Sequence, residues 1–150
     1  MISKVRASGL LLSLSFIFSS CEVDTSLRLA DRIPITVTMS GNGTLSRLAI
    51  VGHRTLRNID GPDSSAVWQI KMKDYDNGQT VSSLNPIIYG KLPRGYVQVY
   101  PEQGEAPELE ENVTYFLDVE TMNANGERGY FKITDGRVKF AKYEYLLDSP

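Results

Sequence analysis

The sequence is poor in the residues on which most catalytic and metal sites depend. Its 150 residues include one cysteine, one histidine and one tryptophan. A single cysteine excludes an internal disulfide, and one histidine with one cysteine cannot supply the usual zinc ligand sets. A Ser–His–Asp triad would depend on His53 alone, at the end of a predicted strand. We therefore predict no catalytic residue, no metal site and no cofactor, and a protein that is not an enzyme.

An excess of charge of one sign is also missing. The 16 basic and 18 acidic residues give a net charge of −2, and no stretch concentrates lysine and arginine. A nucleic-acid-binding protein needs a concentrated basic patch, so we expect no nucleic-acid partner. Long apolar runs are absent beyond the first twenty residues, and a membrane-spanning helix requires roughly 20 of them.

The first twenty residues, MISKVRASGLLLSLSFIFSS, have the three-part pattern of a secretory signal. Lys4 and Arg6 give a positive start, an apolar run extends from Gly9 to Phe18, and small residues follow. That run is too short to span a bilayer as a helix. We predict a signal peptide over residues 1–20, and a buried N-terminal helix is the alternative.

The sole cysteine, Cys21, follows directly in the segment FSSC. This segment resembles the bacterial lipobox, with Phe18 at the position where leucine is usual. The resemblance implies a diacylglyceryl group on the Cys21 sulfur, cleavage after Ser20, and acylation of the new amine. Two or three acyl chains hold a protein firmly on a membrane, whereas one chain holds it only marginally. An ordinary signal peptide that leaves a free thiol is the alternative interpretation.

Without the leader the chain has the length of one ordinary domain, which can bury a real core. Fourteen basic and eighteen acidic residues remain, a net charge of about −4. We assign residues 21–32 to a lipid-anchored linker and residues 33–147 to a β-sandwich domain.

Period-two alternation of apolar and polar residues predicts the strands of this domain. The clearest faces are Ile33, Ile35, Val37 and Met39 in one strand, Ala66, Trp68, Ile70 and Met72 in a second, and Val113, Tyr115, Leu117 and Val119 in a third. Turn clusters separate about seven to eight strands, and no segment has helical period, so we predict an all-β, antiparallel two-sheet sandwich. Residues 33–52 read as a hairpin, and the last strand changes its apolar face near Ala141, where we predict a bulge.

The segment LEENVTYFLDVETMNANGERGYFKI, residues 109–133, resembles the last two strands of fibronectin type III and immunoglobulin-like domains. Leu109, Tyr115, Leu117, Val119 and Gly126 fit the family pattern. The resemblance implies a tyrosine corner, in which the Tyr115 hydroxyl bonds to the backbone just upstream. It supports the architecture and implies no function.

The chain also resembles small bacterial lipoproteins that combine a tryptophan strand, a segment such as PIIYGKLPRGY at residues 86–96, and the tyrosine strand. That resemblance implies no activity.

Two further features are candidates for binding. The acidic segment 102–112 carries five glutamates and is either a solvated loop or a calcium site, although it lacks the ligand spacing of a calcium-binding loop. Tyr89, Tyr96 and Tyr100, with Arg94 between them, could stack on sugars if two or more were exposed, or could simply be strand residues.

We therefore expect a membrane-tethered bacterial envelope lipoprotein with a non-enzymatic binding or structural role. Its expected location is the outer membrane, because Glu22 replaces the aspartate associated with inner-membrane retention. Its expected partners are the membrane, through the lipid, and an envelope protein or glycan. The alternative function is a carbohydrate-binding or adhesion module that uses exposed tyrosines.

Overall fold

The computed structural model describes residues 23–52 and 66–143. The predicted signal peptide, Cys21, His53 and residues 144–147 lie outside these ranges. The described strands are β1 (Ser26–Leu29), β2 (Thr36–Ser40), β3 (Thr44–Gly52), β4 (Ala66–Met72), β5 (Ile87–Ile88), β6 (Tyr96–Tyr100), β7 (Thr114–Met122), β8 (Glu127–Thr134) and β9 (Arg137–Lys142). Two short 3₁₀ turns, Tyr75–Asn77 and Val81–Leu84, lie between β4 and β5. The all-β prediction is confirmed.

The strands form two antiparallel sheets. A three-stranded sheet has the order β1-β2-β5, and a six-stranded sheet has the order β6-β4-β3-β7-β8-β9. This confirms the predicted two-sheet sandwich. We call the end with the β2–β3 turn (residues 40–43) and the β7–β8 turn (residues 123–126) the N-terminal end, because β1 begins there. The opposite end, with residues 31–35, 89–91 and 105–112, is the distal end.

The core lies between the sheets and is formed by the predicted inward faces. Its largest fully buried side chains include Trp68, Phe131, Leu48, Ile70 and Leu117. Alternation predicts such faces because successive side chains of a strand point to opposite sides of the sheet. Ile33 is the exception, being 59% exposed, since β2 begins only at Thr36.

The structure places a strand, β1, inside the segment that we predicted as a linker. Leu27 of β1 is 1% exposed, pairs with Met39 of β2, and donates its backbone N–H to the Glu127 carboxylate of β8. Only Leu27 and Leu29 alternate in this polar stretch, and two apolar residues are too few for a period-two pattern to stand out.

The predicted hairpin over residues 33–52 is wrong. β2 pairs with β1 and β5, whereas β3 pairs with β4 and β7, so the turn at residues 40–43 crosses from one sheet to the other. Gly41 makes the crossing possible: its φ is +127°, and a Cβ there would lie 3.0 Å from the Asp24 carbonyl oxygen. Turn residues show where a chain reverses, but they do not specify which strands then pair.

The predicted bulge in the last strand is also absent. β9 pairs with β8 in one continuous register from Arg137 to Lys142. The apolar face changes because the outer face of the six-stranded sheet has its own small cluster, in which Tyr143 lies 6.1 Å from Phe116 and 5.5 Å from Tyr130, ring centre to ring centre. Plain alternation therefore accounts for Tyr143 without an extra residue.

The tyrosine corner is present. The backbone N–H of Glu110 donates to the Tyr115 hydroxyl at 2.8 Å, and the Tyr115 ring is buried and stacked on Phe131 at 5.3 Å. A buried tyrosine needs a partner for its polar tip. This contact fixes the start of β7 against the acidic segment before it.

Candidate functional site: the distal groove

An open groove of about 840 Å³ lies at the distal end of the sandwich. It is formed by residues 33–35, which precede β2, residues 89–91 after β5, the loop 105–109, and Ile133 of β8. We call it the distal groove. Its volume lies within the range of ligand-binding pockets, about 300–1,000 Å³.

Tyr89 holds one wall of the distal groove in place. Its hydroxyl donates to the Pro107 carbonyl oxygen at 2.7 Å, and its ring meets Trp68 edge-on at 5.4 Å. Burial, with a smaller contribution from Tyr115, raises the pKa of Tyr89 to about 12. The phenol is therefore a neutral donor at physiological pH, and it ties the loop 105–109 to the sandwich.

The floor of the distal groove is apolar. Ile35 and Ile133 are buried at its base, Leu109 is partly buried beside them, and Ile33 is exposed at the rim. When a partner covers an exposed isoleucine next to a concave apolar surface, the additional apolar burial is favourable.

The wall that Tyr89 holds in place is acidic. Glu102, Glu105, Glu108, Glu110 and Glu111 lie within one segment that contains no lysine or arginine, and all five are exposed. Glu105 and Glu108 line the distal groove directly, where Lys91 is the cation that lines it with them. The predicted solvated loop is thus the observed arrangement, and it gives the groove a negative rim.

The calcium alternative finds no support in these ranges. Within residues 23–52 and 66–143, no three histidine, cysteine, aspartate or glutamate side chains are disposed to hold a metal ion. The glutamates of the acidic wall instead spread along the exposed loop.

The three candidate tyrosines do not form one exposed surface. Tyr96 is 4% exposed and donates its hydroxyl to the Leu45 carbonyl oxygen at 2.9 Å. Tyr89 is partly buried as described, so Tyr100, at 38% exposure, is the accessible member of the three. Arg94 lies toward the N-terminal end, where its carbonyl accepts from Gln79. The condition that we set for sugar stacking, two exposed tyrosines, is not met.

A second polar cluster lies on the outer face of the six-stranded sheet. Asp118 of β7 is 2% exposed and accepts from Arg47 Nη2 at 2.5 Å and from Arg128 Nε at 2.6 Å. Arg47 also contacts Glu120 at 2.6 Å. The hydrogen bond between Arg47 and Glu120 raises the pKa of Arg47 and lowers the pKa of Glu120.

This charge cluster is suited to holding strands together. Each Asp118 oxygen accepts from a guanidinium, so the carboxylate connects β7 to β3 on one side and to β8 on the other. Sequence reasoning missed the cluster because its residues lie on three strands, although a charged Asp118 between apolar Leu117 and Val119 was a visible signal.

Sequence reasoning also missed the distal groove as a unit. It identified the acidic segment and Tyr89 separately, and it assigned Ile33 to the core. The exposed Ile33 and the Tyr89–Pro107 contact are set by the tertiary arrangement of segments about 20 to 100 residues apart.

Comparison of the chain with protein-family models, with curated protein sequences and with solved structures found no match. Among the residues described, no helix has the length and apolarity needed to cross a membrane.

Proposed function

We propose that this protein is a lipid-anchored envelope protein that binds a polypeptide partner in the distal groove and catalyses no reaction. The anchor is the diacylglyceryl group expected on Cys21, and the expected location is the outer membrane. The observation that carries the binding role is the distal groove itself, with an apolar floor, an exposed Ile33 and an acidic wall.

The chemistry of the distal groove favours a cationic segment with an apolar side chain. Ile33, Leu109 and Ile133 offer apolar contact, and burial of apolar surface is the main source of affinity. The glutamates of the wall attract lysine or arginine, and complementary charge gives specificity and speeds encounter. A polypeptide carries both kinds of group within a few residues, so a basic, partly apolar segment of another envelope protein is the occupant that we propose.

Site-specific photo-crosslinking in living cells tests this proposal. A benzophenone amino acid is placed at Ile33, in the distal groove, and separately at Tyr75, which is 82% exposed and lies at the opposite, N-terminal end. The expected result is a discrete crosslinked protein from position 33 and none from position 75.

Charge reversal tests the role of the acidic wall. Glu108→Lys should strongly reduce the crosslink from position 33, whereas the matched reversal Asp76→Lys, on the exposed β4–β5 connection, should leave it unchanged. Equal crosslinking from both positions, or a yield indifferent to Glu108→Lys, contradicts the proposed site.

The anchor is tested by the intact mass of the protein extracted from membranes. The proposal expects a chain beginning at Cys21 with the added mass of two or three acyl chains, and a Cys21→Ala variant that leaves the membrane fraction. An unmodified chain in the wild type contradicts the anchor.

A further inference from the structure

We infer that the N-terminal end of the sandwich rests directly on the membrane surface and that the distal groove faces away from it. This inference rests on the lipid anchor of the proposed function. It adds a surface, a lipid partner for that surface, and an orientation.

The chain is bound to the sandwich from Val23 onward. The Val23 N–H donates to Asn42 Oδ1 at 3.0 Å, and the Thr25 N–H donates to the Asn125 carbonyl oxygen at 3.1 Å. The Asn125 side-chain amide also donates to Asp24 Oδ1 at 2.9 Å. These contacts fix residues 23–25 to both turns of the N-terminal end.

The anchor point is therefore close to the folded surface. One residue, Glu22, lies between Cys21 and Val23, and two Cα–Cα steps limit the distance between their Cα atoms to about 7 Å. A flexible linker over residues 21–32 would instead have an average span of about 20 Å. A lipid on Cys21 thus holds the N-terminal end within about 10 Å of the headgroups, because the lipid itself begins at the cysteine sulfur.

Tyr75 gives this end a side chain suited to the membrane interface. It lies in the 3₁₀ turn Tyr75–Asn77 and is 82% exposed. The connection between β4 and β5 runs along the N-terminal end. There the Leu45 N–H donates to the Gln79 carbonyl oxygen at 3.1 Å, and the Val81 N–H donates to the Gly43 carbonyl oxygen at 2.9 Å. Tyrosine, with an apolar ring and a polar tip, is enriched at the headgroup level of membranes.

The charge beside Tyr75 is mixed. Lys73, Asp74 and Asp76 are its charged neighbours in the sequence, and this is not the basic cluster that draws proteins to anionic lipids. We therefore expect the contact to form on neutral phosphatidylcholine.

The distal groove is held away from the bilayer by the length of the strands. β3 runs from the N-terminal end toward the distal end over nine residues, and at about 3.3 Å per residue it spans about 30 Å. A partner in the distal groove thus approaches from the side opposite the membrane.

Depth-dependent fluorescence quenching tests the orientation. The lipid occupies the only native thiol, so a single engineered cysteine, Asp76→Cys or Glu108→Cys, can be labelled selectively in the full-length lipidated protein. The protein is placed in phosphatidylcholine vesicles that contain lipids with a spin-label quencher near the headgroup. The expected result is loss of more than half of the emission at position 76 and no loss at position 108.

A linker insertion provides the control. Twenty glycine and serine residues placed between Glu22 and Val23 keep the anchor but release the sandwich, so quenching at position 76 should fall to the level at position 108. Equal quenching at both positions, in protein whose intact mass includes the lipid, overturns the orientation and leaves the anchor standing. Protein that lacks the lipid mass overturns the anchor and the orientation together.

Discussion

Replacement of Asp118 by alanine is the sharpest test of how the outer face of the six-stranded sheet is held together. Asp118 is 2% exposed and joins Arg47 of β3 to Arg128 of β8. Without it, two guanidinium groups lose their shared carboxylate while β7 remains in the centre of the sheet.

The magnitude follows from the exposure of the partners. Removing one member of a fully buried ion pair costs about 3–5 kcal/mol, because the remaining charge is left unpaired away from water. Here Arg47 and Arg128 are 19% and 33% exposed, and Arg47 keeps Glu120. Water can reach both cations, so we expect a loss of about 2–3 kcal/mol in the free energy of unfolding. For a domain of this size that lowers Tm by about 6–12 °C.

Urea unfolding followed by tryptophan fluorescence measures this loss. Trp68 is the only tryptophan and is buried in the core, so its emission reports global unfolding. A chain that begins at Glu22 avoids the leader and the lipid. Glu120→Ala is the matched control, because Glu120 is 46% exposed and its ion pair contributes at most about 1 kcal/mol.

A double-mutant cycle separates the ion pair from the loss of side-chain volume. Asp118→Ala combined with Arg128→Ala should cost less than the sum of the two single changes by about 1 kcal/mol or more. If Asp118→Ala lowers the free energy of unfolding by less than about 0.5 kcal/mol, the ion pairs of Asp118 contribute no more than solvent-exposed ion pairs do. That result would refute our account of the outer face.

Two further predictions concern stability. Tyr115→Phe removes the acceptor of the Glu110 N–H and should cost about 1 kcal/mol in urea unfolding, while the same change at the exposed Tyr75 should cost almost nothing; equal effects would contradict the tyrosine corner. The hydrogen bond from Arg47 lowers the pKa of Glu120 below its ordinary 4.5, so Glu120 contributes stability above that value and loses it as the pH falls through the lowered pKa. The difference in urea midpoint between wild type and Glu120→Gln should therefore be present at about pH 7 and shrink as the pH falls below 4.5, and a constant difference would contradict this assignment.

The tyrosine corner shows how much a local pattern can predict. Leu109, Tyr115 and the alternating residues after it lie within one segment, and the contact from Glu110 to Tyr115 spans only five residues. Likewise, the faces of β4 and β7 follow from alternation alone. Such features depend on strand geometry, in which neighbouring side chains point to opposite sides.

The hairpin over residues 33–52 shows where local patterns stop being informative. Both of its strands exist, yet β2 and β3 belong to different sheets. A glycine-rich turn is compatible with pairing and with crossing, and the choice depends on which distant strand buries each apolar face. For the same reason the sequence did not predict that β1 would use Leu27 to extend the three-stranded sheet.

The sequence by itself determined the all-β class, the inward faces of most strands and the acidic character of residues 102–111, because each is set by residue type and spacing within a few positions. Only the tertiary structure decided sheet membership, the distal groove and the Arg47–Asp118–Arg128 cluster. Each of these joins segments far apart in the chain, and their contacts exist only after the two sheets have packed and excluded water from the core.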